Sequence, residues 1–303
     1  MTRVLLTGAA GFLGRNLHEA FTAAGHAVTL VDRVERATMP GLHSLPLTEQ
    51  AALFELLQQE RIEVVVHLAC GMLPSSDSAA FVREQREVLA PSFALMDECA
   101  RTGIRFVLVS SGGTIYGDTQ VARVREDHAT APKNLYGFSK LVLEQYAQLS
   151  HRSHGLRHLI LRPSNPYGQH QRLHGAQGIV AVALGRALTG EPLELWGDGT
   201  AVRDYLDVRD FSAGVLALVE AGVSGLTLNI GSGAGHSINE VLALVREATG
   251  RELRVLQRPA RGIDVRSVVL DTSALAGTIR WAPRPLAVGI ADFWRWAQLH
   301  GRH

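Results

Sequence analysis

Arg3-Val4-Leu5-Leu6-Thr7-Gly8-Ala9-Ala10-Gly11-Phe12-Leu13-Gly14, two residues into the chain, decides how the rest is read. Val4-Leu5-Leu6 is a short apolar run of the kind that forms a buried strand. It passes directly into three glycines spaced G-x-x-G-x-x-G. Behind them Leu13, Leu17, Ala20 and Phe21 recur at helical spacing. Gly8, Gly11 and Gly14 let the backbone turn tightly and approach a pyrophosphate. The helix that follows offers free N–H groups and the positive end of its dipole to that anion. A second apolar run, Ala27-Val28-Thr29-Leu30-Val31, ends at Asp32-Arg33. An acid at that place can hydrogen-bond the adenosine ribose diol and repels a 2′-phosphate, which favours NAD over NADP. Arg33 pulls the other way, since a guanidinium could hold that phosphate.

Outward from this unit the alternation continues. Residues 34 to 48 read as a loop with a weak third strand, Glu49 to Gln59 as a helix, and Glu63 to Ala69 as a strand. Ala79 to Arg101 reads as a long amphipathic helix interrupted near Pro91. Arg105 to Ser110 is a further strand, as is Arg157 to Leu161 beyond the next helix. Strands alternating with helices predict an α/β fold: a doubly wound parallel sheet with helices on both faces. From about Gly175 the elements become shorter and mixed, and Leu226 to Ile230 reads as a strand that could return to the main sheet. Ser237 with Glu240 three residues on reads as a capping box opening a helix to Thr249.

Size and composition agree. The chain has 303 residues, 46% of them hydrophobic, and carries a net charge of +1. That charge asks for neither nucleic acid nor an acidic membrane as partner. No stretch reads as a signal peptide or a membrane span, so a cytoplasmic protein is expected. Two cysteines, Cys70 and Cys99, make no disulfide framework and fit a reducing compartment. His67 sits in an apolar run and reads as a packed core histidine. The histidines at 151, 154, 158, 170 and 174 lack carboxylate or thiolate partners at metal spacing; they read as surface residues, and no metal is expected.

The chemistry centres on Tyr136-Gly137-Phe138-Ser139-Lys140. Four residues is about one helical turn, so both side chains share a face. Bringing a phenol from a pKa of about 10 to about 7 needs roughly 4 kcal/mol. An ammonium about 4 Å away supplies about that at an effective dielectric of about 20. A tyrosinate so formed exchanges a proton with an alcohol or sugar hydroxyl. The hydroxyl-rich loop Ser110-Ser111-Gly112-Gly113-Thr114 follows a sheet strand at its carboxyl end, where α/β folds place chemistry.

Together these stretches resemble the extended short-chain dehydrogenases/reductases of the nucleotide-sugar epimerase and dehydratase group, and within it the UDP-glucose 4-epimerases. The resemblance covers nearly the whole chain. Thr7 to Gly14 looks like the family's nucleotide loop, Asp32 its ribose carboxylate, and Tyr136 with Lys140 its catalytic pair. Arg162-Pro163-Ser164-Asn165-Pro166-Tyr167-Gly168 resembles the nicotinamide and sugar-diphosphate loop, with Asn165 toward the diphosphate. Gly197-Asp198-Gly199 with Arg203-Asp204-Tyr205 resembles the segment whose arginine grips the diphosphate. Arg261 and Asp264 resemble a late pair for phosphate and uridine ribose.

The resemblance implies a Rossmann domain over 1–165, with 204–235 returning to it, and a lobe over 166–303 that mainly binds nucleotide sugar. It implies Phe12, Leu13, Arg33, Leu68, Ala69 and Ser164 as further NAD contacts, a UDP-linked substrate and a homodimer. The activity implied is 4-epimerisation through transient oxidation at sugar C4. An NAD(P)H-dependent 4-ketoreductase is the first alternative, a non-catalytic NAD(P)-binding regulator the second. The departures are specific. Where the family has a serine or threonine four residues before the tyrosine of Tyr116-Gly117, this chain has Gly112. In an extended segment Thr114 would face the same side and replace the missing hydroxyl, ahead of Ser110 or Ser111. The adenine-contact acid expected near Pro46-Leu47-Thr48 and the asparagine expected near Val88 are absent. Gly113-Thr114 stands where dehydratases carry an Asp-Glu pair, so elimination of water lacks its acid and base. Val268 aligns with the position where a small residue admits N-acetylated sugars, which predicts that it lines the sugar pocket.

Overall fold

In a computed structural model of the chain, residues 1–33, 39–175, 177–260 and 267–300 are described. The first half runs β1 (Arg3–Thr7), α1 (Phe12–Ala23), β2 (Ala27–Asp32), β3 (Leu42–Ser44), α2 (Gln50–Gln59), β4 (Val64–His67), α3 (Ser78–Glu84), α4 (Ala90–Thr102) and β5 (Arg105–Val109). Then come α5 (Gly112–Ile115), α6 (Leu135–His154), β6 (His158–Pro163), β7 (Asn165–Tyr167), α7 (Ile179–Thr189), β8 (Leu193–Trp196), β9 (Val202–Asp207), α8 (Val208–Glu220) and β10 (Leu226–Ile230). The last are β11 (Gly235–Ser237), α9 (Ile238–Thr249), β12 (Val255–Arg258), β13 (Ser267–Val268), α10 (Ser273–Ala276) and α11 (Leu286–His300).

Seven strands form one parallel sheet in the order β10-β6-β5-β4-β1-β2-β3. This is the doubly wound architecture the alternation predicts, with β10 at one edge. Strand order reverses between β1 and β4, which opens a crevice at their carboxyl ends. Successive side chains of a strand point to opposite faces, and the core divides accordingly. Val4, Leu6, Val66 and Val107 pack with Leu17 and Phe21 of α1 and Phe211 and Val215 of α8. Leu5, Val65, Phe106 and Leu108 pack on the other side with Leu53, Leu95, Cys99 and Leu143. A separate core joins α7, α9 and α11 through Leu184, Val241 and Phe293. Small sheets around β9 and the pair β8–β12 complete that region.

The irregularity expected near Pro91 is a π turn over Gln85–Leu89, which links α3 to α4 without breaking the run. Pro91 has no N–H to continue the ladder behind it, and the wider turn absorbs the defect. Ser237 and Glu240 form the capping box, with both reciprocal hydrogen bonds present. The Ser111–Tyr116 stretch departs from expectation: Gly112–Ile115 is a helical turn, not an extended segment.

Candidate active site

The glycine loop hangs between β1 and α1 at the sheet crevice. Gly8 has φ +70°, and a Cβ there would stand 2.9 Å from the Ala69 nitrogen, so the loop passes against the end of β4. Thr7 fastens that end: its Oγ1 accepts from the N–H groups of Leu68 and Ala69, at 3.2 and 3.4 Å. Asp32, at the tip of β2, accepts from Ala10 N–H at 2.9 Å and Arg33 N–H at 2.7 Å, which puts its carboxylate at the lip of the loop. Arg33 leans away to pair with Glu87 at 3.3 Å, both half exposed.

A cavity of about 230 Å³ lies over this loop. Gly8, Gly11, Phe12, Leu13, Gly14 and Leu68 form its floor. Ser110, Ser111, Tyr136, Lys140 and Ser164 reach it from β5, α6 and the end of β6. The hydroxyls of Ser110 and Ser164 are buried here with no hydrogen-bond partner. Buried polar groups are ordinarily satisfied, so two orphaned hydroxyls over a phosphate-type glycine loop fit a polar ligand such as the nicotinamide end of a dinucleotide.

α6 starts where Asn134 caps it through the Gly137 N–H at 2.8 Å, and this fixes Tyr136 in its first turn. One turn on, Lys140 is 3% exposed and donates to the Val109 carbonyl at 3.2 Å. Burial works against the lysine's charge, but Cys70, Tyr136, Glu84 and Glu144 around it outweigh burial and hold its pKa above the ordinary value. Tyr136 is partly exposed. Burial pushes its phenol up; Lys140 and a hydrogen bond with Ser111 pull it down, while Cys70 and Glu84 push it further up. The net shift is upward. Burial is the larger effect, and it outweighs Lys140 and holds the phenol above its ordinary value.

Ser111 lines the cavity with Tyr136 and Lys140, and Thr114 stands behind it on a helical turn rather than on the extended segment expected. In a helical turn residues two apart do not share a face, whereas residues three apart do. Thr114 Oγ1 accordingly donates to Ser111 Oγ at 2.9 Å, and Ser111 lines the cavity beside Tyr136. Gly112 has a steric reason: a Cβ there would stand 2.7 Å from Leu270 Cδ1 and 2.9 Å from the Arg162 carbonyl. The absent hydroxyl could not fit.

A second cavity, about 1570 Å³, opens between α7, β8, β9 and β12. Asp118, Thr119 and Lys133, close in sequence to Ser111 and Tyr136, line it together with Arg186, Trp196, Gly197, Asp198, Arg203, Arg258 and Ser267. Arg203 also donates to the Val202 carbonyl at 2.9 Å. Asn165 lines neither described cavity; its amide donates to the Asp204 carbonyl at 2.8 Å. Val268 is likewise withdrawn: it is 2% exposed in an apolar cluster with Ile115, Tyr116, Val124 and Leu270, so the structure does not support the expectation that it walls the sugar pocket. Arg261 and Asp264 lie outside the described residues.

His67 is the satisfied core histidine the sequence suggests. Its ring meets Thr7 Oγ1 and Ser92 Oγ at 2.9 Å each, and burial with the nearby Lys140 lowers its pKa to about 3. Among the described residues no group of three or more His, Cys, Asp or Glu is placed to hold a metal, and no helix is long and apolar enough to cross a membrane. Two residues at the site escape a reading by motif: Cys70, in the cavity wall, and Glu84, buried behind it.

Known proteins agree with this geometry. Residues 4–231 match the model of the NAD dependent epimerase/dehydratase family. A UDP-glucose 4-epimerase of Azospirillum brasilense is 32% identical over 307 residues, covering 93% of this chain and 87% of that protein. The solved UDP-glucose 4-epimerase of Thermus thermophilus, in complex with NAD, superposes with a TM-score of 0.89 at 30% identity over 98% of this chain and 99% of its own. That of Thermotoga maritima, with UDP-glucose, gives 0.90 at 28% identity, covering 98% and 99%. With glycine loop, Asp32 and the tyrosine–lysine pair at one crevice, this chain belongs to the NAD dependent epimerase/dehydratase family.

Proposed function

We propose that the protein is an NAD-dependent nucleotide-sugar 4-epimerase acting on a UDP-hexose or UDP-N-acetylhexosamine. The observation that carries this reading is the Ser111–Tyr136–Lys140 constellation over the glycine-loop cavity, on the same stretches that border the larger, arginine-lined one. The glycine loop, Asp32 and the unpartnered hydroxyls of Ser110 and Ser164 suit NAD. NAD, when bound, accepts a hydride from sugar C4 and returns it.

This chain's part is to hold and move the proton and to keep the sugar's carrier in place. Tyr136 takes the proton of the 4-hydroxyl at its phenolic oxygen and later gives it back. Lys140 stabilises the phenolate, and a bound nicotinamide cation adds the charge that burial makes necessary. Ser111 donates to the oxygen that carries the developing charge, with its own proton position set by Thr114. Arg203 and the other cations of the large cavity suit a diphosphate, which lets the sugar turn over while its carrier stays held. Gly113-Thr114, in place of an acid pair, argues against dehydration.

The test is incubation of the purified protein with UDP-glucose, UDP-galactose and their N-acetylamino counterparts, without added cofactor, followed by NMR. Interconversion of the 4-epimers is expected. No interconversion of these sugars, with NADH or NADPH consumed when a nucleotide 4-keto sugar is supplied, would replace this reading with that of a 4-ketoreductase. Binding of NAD with every sugar left unchanged would leave a non-catalytic regulator.

A further inference from the structure

Glu84 is a charge in the wrong place for an ordinary helix surface. It ends α3 with 3% exposure, while Arg83, Arg86 and Glu87 beside it are exposed. A buried carboxylate needs a fixed partner. Glu84 has one in the Gly71 N–H, which donates to its Oε2 at 2.8 Å. The contact is close: a Cβ on residue 71 would stand 2.7 Å from that oxygen and push the carboxylate aside. The π turn begins at the next residue, Gln85, and keeps both Glu84 and Val88 on the buried side.

The groups around Glu84 belong to the hydride-transfer pocket. Cys70, next to Gly71, lines that cavity with Tyr136 and Lys140. From α6, Tyr136, Lys140 and Glu144 bear on the cluster; from β4, His67 stands near Lys140 as a neutral ring. Lys140 is the cation that bears on Tyr136, while Glu144 is paired with the buried Arg162 guanidinium at 2.7 Å. Glu84 opposes Lys140, and Tyr136 adds a further negative charge whenever it ionises. A backbone N–H could be satisfied equally by a neutral amide, so the carboxylate contributes charge beyond what anchoring Gly71 requires.

We propose that Glu84 is a positioning residue for proton transfer: fixed by Gly71, its carboxylate competes with Tyr136 for the charge of Lys140 and holds ionisation of the tyrosine to a higher pH. Ionisation then depends on a further positive charge reaching the pocket, such as an oxidised nicotinamide. The inference rests on Tyr136 being the base, as in the epimerase reading.

The sign follows directly. Activity that needs Tyr136 ionised rises with pH through its pKa. Removing a nearby negative charge lowers that pKa and moves the acid limb to lower pH. Glu84→Gln keeps an oxygen for Gly71 and removes only the charge; Glu84→Met removes both and serves equally if the first does not fold. Each is compared with the parent in NAD-loaded protein, by near-ultraviolet tyrosinate absorbance against pH with Tyr136→Phe as the blank, and by kcat/KM for UDP-glucose against pH. Both transitions are expected to move down by about one pH unit. Below the parent's limb the variants would then turn over up to about tenfold faster, a gain that a damaged fold cannot imitate. An unmoved tyrosinate transition overturns the proposal and leaves Glu84 as an anchor for Gly71, as does a limb that moves without that transition. If no UDP-sugar is turned over, the epimerase reading fails while the absorbance titration still decides the role of Glu84.

Discussion

Ser111→Ala separates the two hydroxyls that the sequence alone leaves in competition. Ser111 is buried, lines the cavity with Tyr136 and accepts from Thr114 at 2.9 Å. Removing it takes a donor from an oxygen that becomes charged during proton transfer. Hydrogen bonds to charged groups are worth about 1.5–3 kcal/mol, so kcat/KM should fall by about 10- to 150-fold. Thr114→Ala removes only a neutral bond to the serine, worth about 0.5–1.5 kcal/mol, and should cost about 2- to 10-fold. Because Thr114 acts through Ser111, the double variant should be no worse than Ser111→Ala alone. The assay is kcat/KM for UDP-glucose at a fixed pH above the acid limb, with NAD content measured in each variant. Gly112→Ser should not rescue Ser111→Ala, since its Cβ would press on Leu270 and the Arg162 carbonyl. It should instead destabilise the protein by about 1–3 kcal/mol, the usual cost of overpacking. A Thr114→Ala loss equal to or larger than that of Ser111→Ala, or a multiplicative double variant, would refute the assignment and return Thr114 to the sugar.

Three further outcomes are expected. Tyr136→Phe should lower turnover at least about a hundredfold, the low end for general acid–base catalysis, with NAD still bound; turnover within tenfold of the parent would put the base elsewhere. NAD should bind more tightly than NADP, and Asp32→Ala should narrow the difference in a calorimetric titration. Tighter binding of NADP to the parent would mean that Arg33 leaves Glu87 and governs the site. Val268→Tyr should lower the Tm by several degrees through overpacking among Ile115, Tyr116, Val124 and Leu270. It should affect UDP-glucose and UDP-N-acetylglucosamine alike, and selective loss of the acetylated sugar would show that Val268 reaches the substrate after all.

What could be read from the sequence differs from what could not in a physical way. β1, the glycine loop and Asp32 are contiguous or nearly so. Their chemistry follows from local rules: a short apolar strand, backbone freedom and an acid at a strand end. Tyr136 and Lys140 share a face through helical period alone. The misplaced hydroxyl turned on a conformation that one sequence does not dictate. Ser110-Ser111-Gly112-Gly113-Thr114 reads equally well as extended backbone or as a helical turn, and the choice reverses which hydroxyl meets the tyrosine. The short contact from Gly112 to Leu270, 158 residues away, is what no local rule contains. The burial of Val268 has the same origin, since Ile115, Tyr116 and Val124 reach it from far along the chain.

Glu84 was within reach, and its case shows where a single sequence holds more than motifs reveal. Phe81, Glu84, Val88, Ser92 and Leu95 follow one another at three- and four-residue spacing, so an acid stands on the apolar stripe while Arg83, Arg86 and Glu87 beside it face water. Such a residue must be neutral, paired or functional, because an unpaired buried carboxylate costs several kcal/mol. Neither Arg83 nor Arg86, on the exposed side, can be its partner. The partner lies across the crevice, in a glycine N–H behind a pocket cysteine and one step from a lysine that serves the tyrosine. A charge on an apolar stripe therefore points to a site even where no family motif includes it. The site it points to here is the one where Lys140, set against Glu84, governs when Tyr136 can act as a base.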